Sequence, residues 1–401
     1  MTMKYIVLLG DGMPDEKIEA LGGKTPLEYA STPVMDSMAK RGRLGLARTI
    51  PPGYPPGSDV ANLSVFGYDP RVCYTGRSPL EAASMGVSLG PDDVAFRMNL
   101  VNIRSDNGTD FMGDYSAGHI STEEGGELVK SLGNELGGEE FEFYPGVSYR
   151  HLLVWRNGKD RFALTPPHDI SGKPIADFLP TGDGADVLLS LMERSRDILS
   201  RHPQYGRRLD AGKVPANSIW LWGHGKAPRM VTYREKYGLS GAVISAVDLV
   251  RGIGVYAGLE IIRVPGATGY LDTNYQGKAE AALAALERLD FVYLHVEAPD
   301  ESSHSGSMEN KIRAIEDFDS KIVGPISEGI RRFGEYRILC TPDHPTPLRI
   351  MTHTADAVPF IIYGGETEVT EGVARYDEYS ARKTGLFLED GYRLMDMMMK
   401  R

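Results

Sequence analysis

The chain has 401 residues, 41% of them hydrophobic and 25% charged, with a formal net charge of -11. That is ample for a large core, most simply in two domains, and it argues against a nucleic-acid or membrane-surface partner, which would need a basic footprint. Two distant cysteines, Cys73 and Cys340, rule against a disulfide framework, and no run approaches the roughly 20 apolar residues of a membrane span, so a cytoplasmic chain is expected.

In chain order, Lys4–Gly10 is a continuous apolar run that predicts a strand covered on both faces, with Asp11 at its tip. The short run Tyr5–Leu9 is followed at once by Asp11, so it is neither a signal peptide nor a span. A helix is expected from Thr32-Pro33 to Ala39. The proline-glycine loop at 50–57 then delivers Ser58 to the start of another helix. There its hydroxyl reads either as an N-cap, with an incomplete capping box, or as a nucleophile facing the helix dipole and free amides.

From 73 to 215 the texture changes to short β-like runs (Val94 to Ile103, Tyr149 to Trp155), many glycines and frequent charges. This predicts an inserted, smaller α+β domain within a discontinuous catalytic domain of residues 1–72 and 216–401. Its chemistry-bearing side chains are Arg97, Asp114, His119, Arg150, His151, His168 and Asp169, each equally at home as a surface charge or local hydrogen-bonder. A helix over Asp186 to Arg201 is amphipathic. Ser218–Gly225 resumes the buried-strand pattern and carries His224 between two glycines.

The segment at 269–278 is not a P-loop: Asp272 stands where the Walker pattern needs glycine, and Ala279 where it needs Ser or Thr. Lys278 is expected to open a helix over Ala279 to Leu289, an electrostatically unfavourable place for a cation that hints at a ligand, although exposure to solvent is the default reading. Asp290–Val296 predicts another buried strand. After it come Asp300 and His304, four apart and so on one face of a helical turn. A helix over Asn310 to Arg332 leads to an apolar run at Ile338–Cys340, with Asp343-His344 just beyond it, and His353 precedes a further strand at 358–363. Leu386–Leu388 and the methionine-rich run at 395–399 read as a closing helix.

Three apolar strands thus deliver an Asp or an Asp-His set with the same polarity, at the edge where parallel α/β sheets bind ligands. Asp11, Ser58, Asp300, His304, Asp343, His344 and His353 make seven oxygen and nitrogen donors with no cysteine. That is more than one tetrahedral site uses, and it suits two divalent ions such as Mn²⁺, Zn²⁺ or Mg²⁺.

At these residues the sequence resembles the alkaline phosphatase superfamily, and within it the archaeal-type cofactor-independent phosphoglycerate mutases. The matching stretches span nearly the whole chain: residues 9–15, 56–70, 114–118, 166–170, 266–269 and 295–300. The resemblance implies an alkaline-phosphatase-like, mostly parallel α/β sheet sandwiched by helices, with the insertion as a mobile substrate-binding lid. It implies Ser58 as the phosphorylated nucleophile, one metal on Asp300, His304 and His353, and a second on Asp11, Ser58, Asp343 and His344. No 2,3-bisphosphoglycerate would be required. Arg97 and Arg150 are candidates for gripping phosphate and carboxylate, with Lys278 adding a point charge, and His168 and Asp169 are candidates for proton transfer. One departure stands out: many members have His where this chain has Asn62, and Asn cannot titrate.

The expected reaction is interconversion of 3-phosphoglycerate and 2-phosphoglycerate through a phosphoserine. The same machinery with another acceptor would give a homoserine-kinase-like phosphotransferase or a phosphomonoesterase, and a protein that only binds metal is the remaining alternative.

Overall fold

The structure is a computed structural model that describes residues 3–400. It divides into two compact units, Met1–Tyr74 with Arg229–Arg401, and Thr75–Pro228. The first is built on an eight-stranded sheet in the order Glu260–Ile262, Gly241–Ile244, Phe291–Val296, Lys4–Gly10, Tyr336–Thr341, Val358–Tyr363, Arg43–Ala47, Phe387–Leu388. The first five strands pair in parallel, Val358–Tyr363 runs antiparallel to both neighbours, and Phe387–Leu388 is parallel to Arg43–Ala47. The central strand Lys4–Gly10 alternates between the two faces, as the two-residue period of a strand requires. Ile6 and Leu8 join Val292, Leu294, Ile338 and Cys340 in one core with the helices Pro33–Arg41, Tyr275–Arg288 and Met308–Phe318. Val7 and Leu9, on the other face, are equally buried. Cover on both faces is what makes the run uniformly apolar.

Two expected elements differ. The helix over 310–332 forms as Met308–Phe318, a π turn at Asp319–Val323, Gly324–Gly329 and a 3₁₀ turn at Ile330–Phe333. Pro325 has no N–H for the regular ladder, which favours the change of pitch there. Leu386–Leu388 is not helical: Phe387–Leu388 is an edge strand, with Leu46 N–H donating to Leu386 O and Arg48 N–H to Leu388 O, and only Leu394–Met399 forms the closing helix.

The second unit is an α+β domain. The long strand Val94–Asp106 pairs antiparallel with Thr109–Asp114, Arg150–Trp155 and Ser218–Lys226, and Phe141–Val147 adds to Arg150–Trp155. Phe96, Met98 and Leu100 pack with Leu128, Val129 and Leu132 of Thr122–Leu136, and with Leu188, Leu191 and Leu199 of Ala185–Arg201. The division falls at 74/75 and 228/229, not at 72/73 and 215/216. The reason is Ser218–Lys226, whose Trp220 and Leu221 belong to this core and whose backbone completes this sheet.

Candidate active site

The five parallel strands end at one edge, and the segments beyond three of them, with Ser58 reached from the loop after Arg43–Ala47, bring the seven predicted donors together. Asp11 follows Lys4–Gly10, Asp343 and His344 follow Tyr336–Thr341, and all three are buried. Asp300 and His304 ride on the short helix Ala298–His304 after Phe291–Val296, where His304 Nε2 lies 3.1 Å from Asp300 Oδ2. His353 Nε2 lies 3.0 Å from His304 Nε2 and 3.6 Å from Asp300 Oδ1. His344 Nε2 lies 3.3 Å from Asp343 Oδ2 and 3.5 Å from Asp11 Oδ1.

Ser58 opens the helix Ser58–Val65, but the N-cap is Gly57, which has no side chain to bond the first turn. The hydroxyl is thereby free for another partner, and it lies 3.0 Å from His344 Nε2. The capping alternative for Ser58 therefore falls. Asn62, one turn on, donates from Nδ2 to Ser58 O at 2.9 Å and to Asp343 Oδ2 at 2.8 Å, and accepts from the Tyr293 hydroxyl at 2.8 Å.

The electrostatics of this nest ask for positive charge. Burial first, then Asp343 and Asp300, push the Asp11 carboxyl well above the usual carboxylate range. Burial works in the same direction on Asp300, but hydrogen bonds with His304 and His353 overcome it and hold that carboxyl well below its ordinary value. His304, beside Asp300, is pushed up to about 9.

The donor chemistry fits divalent cations. Asp11 Oδ1 is buried without a hydrogen-bond partner. The Thr346 hydroxyl gives its proton to Asp300 Oδ1 at 2.5 Å and so accepts from His344 Nδ1 at 3.2 Å, which leaves the lone pair of His344 on Nε2. His304 Nδ1 likewise donates to Met351 O at 2.9 Å and turns its Nε2 inward. Fixing the outer nitrogen in this way is how proteins orient a ligating imidazole. Two triplets have donor atoms all within 4.8 Å of one another: Asp300, His344, His353 and Asp11, Asp343, His344. His344 thus stands in both, where the resemblance assigns it to the second ion alone.

Within the insertion, Glu81 bridges two guanidiniums, Arg77 Nε at 3.0 Å and Arg97 Nε at 3.1 Å. Arg97 lies over the Trp222 ring at 4.4 Å, and burial lowers it to about 10 against the opposing pull of Glu81, so it stays charged at neutral pH. His168 packs edge-on against Trp222 at 5.3 Å, with Nε2 3.6 Å from Asp169 Oδ1. Burial chiefly lowers its pKa; Asp169 opposes this, and Arg97 and Arg77 add to it. Arg150 is exposed and sits 5.6 Å over the Tyr149 ring. His224 is a packing residue between Phe96 and Phe162, its Nε2 3.0 Å from Asp160 O.

A model of the family described as "2,3-bisphosphoglycerate-independent phosphoglycerate mutase" matches residues 39–205. A Geobacter sulfurreducens protein named "Probable 2,3-bisphosphoglycerate-independent phosphoglycerate mutase" is 68% identical, with 100% of both chains covered. A Methanosarcina acetivorans protein, named as a 2,3-bisphosphoglycerate-independent phosphoglycerate mutase, is 54% identical over 99% of this chain and 100% of its own. The chain belongs to the 2,3-bisphosphoglycerate-independent phosphoglycerate mutase family. A solved Pyrococcus horikoshii structure, 31% identical, has the same fold with a TM-score of 0.85 over 100% of this chain and 97% of its own.

For this member of the mutase family, one predicted residue needs reassignment. Lys278 does not open its helix, which starts at Tyr275 behind an Asn274 cap. Its side chain is fully buried, Nζ donates to His295 O at 3.2 Å, and burial lowers it to about 8. It braces the interior of the mutase instead of presenting charge to a ligand. Sequence reasoning missed His295, Thr346 and Arg77. His295 lies inside a strand whose uniform burial hides any special partner, while Thr346 and Arg77 lie in stretches that read as loop and surface.

Proposed function

We propose that this chain interconverts 3-phosphoglycerate and 2-phosphoglycerate by moving the phosphoryl group through Ser58. The observation that carries the reading is the Ser58 hydroxyl, 3.0 Å from His344 Nε2 within a buried nest of carboxylates and imidazoles. Asp300, His304 and His353 would hold one divalent ion, and Asp11, Ser58, Asp343 and His344 a second, with Mn²⁺, Zn²⁺ and Mg²⁺ the ions that such donors suit. Such ions supply charge that stabilises phosphoryl oxygens and acidifies a neighbouring hydroxyl.

The Ser58 oxygen attacks phosphorus, the bond to the C3 oxygen of the substrate breaks, the serine loses its proton and the departing hydroxyl gains one. The glycerate reorients, its C2 hydroxyl attacks the phosphoserine, and Ser58 recovers its proton. The amide N–H groups of the first turn of Ser58–Val65 face the phosphorylated oxygen with the positive end of the helix dipole. Arg97 and Arg150 grip carboxylate and phosphate, and Arg77, sharing Glu81 with Arg97, adds a third guanidinium to that set. His168, paired with Asp169, exchanges protons with the glycerate hydroxyls. Among the described residues no helix is long and apolar enough to cross a membrane, which fits an enzyme working on a soluble substrate in the cytoplasm.

Replacing Ser58 by Ala is expected to abolish the mutase reaction and the phosphoserine detected by mass spectrometry after quenching with 3-phosphoglycerate. Full activity in that variant would overturn the phosphoserine route. Release of inorganic phosphate or transfer to homoserine as the dominant reaction would replace the mutase by its phosphatase or kinase relatives.

A further inference from the structure

Asp11 uses its two oxygens differently. Oδ1 is the buried atom without a partner, whereas Oδ2 lies 2.8 Å from His295 Nε2. His295 is itself fully buried in Phe291–Val296, the strand between Gly241–Ile244 and Lys4–Gly10. Its other nitrogen, Nδ1, lies 3.2 Å from Ser245 Oγ, just past the end of Gly241–Ile244. Ser245 Oγ accepts from Val247 N–H at 3.0 Å, and Lys278 Nζ bonds the His295 carbonyl. Three adjacent strand ends are thus joined side chain to side chain in the order Ser245, His295, Asp11.

The hydrogen-bond chemistry fixes the direction of this chain. With Asp11 ionised, as a cation ligand must be, its Oδ2 at 2.8 Å takes the proton of Nε2, so neutral His295 carries a lone pair on Nδ1, and that lone pair takes the hydroxyl proton of Ser245. With Oδ2 held by His295, Oδ1 is the oxygen of Asp11 left without a partner for a cation.

We propose that His295 is a positioning residue that makes Asp11 a one-oxygen ligand, with Ser245 selecting the imidazole tautomer that does so. Both side chains are buried. The assignment rests on the metal part of the reading above, and partners of this kind typically change metal affinity by roughly 10–100-fold.

The test titrates Mn²⁺ alone into the full chain after chelator treatment, followed by calorimetry, with no substrate present. His295→Leu is expected to weaken one binding event by roughly 10–100-fold and leave the other unchanged. His295→Gln, which keeps a donor near the Nε2 position, recovers part of the loss. Ser245→Ala weakens the same event by less, and Ser245→Thr restores it. The ¹⁵N imidazole spectrum, with His295 assigned by its loss in His295→Gln, is expected to show the proton on Nε2 in the parent chain and a shift toward Nδ1 in Ser245→Ala.

Parent-like Mn²⁺ binding in folded His295→Leu and Ser245→Ala overturns the assignment, as does a parent spectrum with the proton on Nδ1. Should His295→Leu fail to fold, Ser245→Ala and the spectrum decide. The two readings fail separately: an active Ser58→Ala variant would end the phosphoserine route whatever Mn²⁺ binding the His295 and Ser245 variants show, and parent-like curves in those variants would leave that route intact.

Discussion

Asn62 shows how one side chain at the centre of the site does without a titrating group. Its amide nitrogen bridges Ser58 O and Asp343 Oδ2, and its amide oxygen is held by Tyr293, whose ring stacks on Phe66 at a centroid distance of 3.8 Å. Fixing a carboxylate and the nucleophile's own backbone while accepting from Tyr293 calls for two N–H donors and one acceptor, which an amide supplies and a neutral imidazole, with a single N–H, does not. Tyr293→Phe would leave the Asn62 oxygen buried and unpaired, at a cost of about 1–3 kcal/mol in stability by urea denaturation. kcat is expected to fall with it as Asp343 loses its fixed partner. Single residues of this site were legible in the sequence when they stood at a strand tip, as Asp11 and Asp343 do. They were illegible when the chemistry depended on a neighbour from another strand. His295 sits in an apolar run, and only its place beside Asp11 and Ser245 gives it a role.

Among the elements, the π turn at Asp319–Val323 is where periodicity misled. The apolar spacing of Ile312, Ile315, Ile322 and Val323 fits one helix, and the core they join with Phe318 is continuous. What periodicity cannot report is that Asp319 serves a different helix. Its carboxylate accepts from Val34 N–H at 3.2 Å and Met35 N–H at 2.7 Å, at the first turn of Pro33–Arg41, whose own Thr32 N-cap makes no side-chain bond to the helix backbone. A cap supplied from 285 residues away leaves no local capping signature. Asp319→Ala is expected to cost about 0.5–2 kcal/mol, read as a lower urea midpoint at unchanged slope. The parallel strands, by contrast, were legible because burial on both faces writes itself as an uninterrupted apolar run.

At the scale of the whole molecule, the catalytic unit is tied together behind the site by buried charge. Lys311 Nζ, fully buried, binds Asp15 Oδ2 at 2.8 Å and the carbonyls of Thr346 and Pro14, joining the loops beyond two parallel strands. Asp15 N–H donates to Glu378 Oε1 at 3.1 Å, and Thr25 Oγ donates to Oε2 at 2.8 Å. Burial raises the Glu378 carboxyl to about 7 even so. The native state therefore holds this proton more tightly than the unfolded chain, whose carboxyl titrates near 4.5, so the contribution is fully present below that value and is lost as pH rises toward and through about 7. Glu378→Gln is expected to flatten the fall in stability across that window, measured by denaturant unfolding at a series of pH values. The domain boundary was the part of this scale hardest to read. Ser218–Lys226 has the buried texture of a central strand, and that texture does not say which of two sheets the strand completes.

The position of the first strand has a consequence for how the protein is made. Lys4–Gly10 lies between Phe291–Val296 and Tyr336–Thr341, so this apolar central strand leaves the ribosome some 280 residues before either flanking strand exists. At about 5–20 residues per second that is a wait of roughly 15–60 s. The strands of the insertion's sheet, by contrast, all lie within residues 94–226 and are complete well before then. Biogenesis of this mutase should accordingly lean on holding factors that shield this early strand until the late strands arrive.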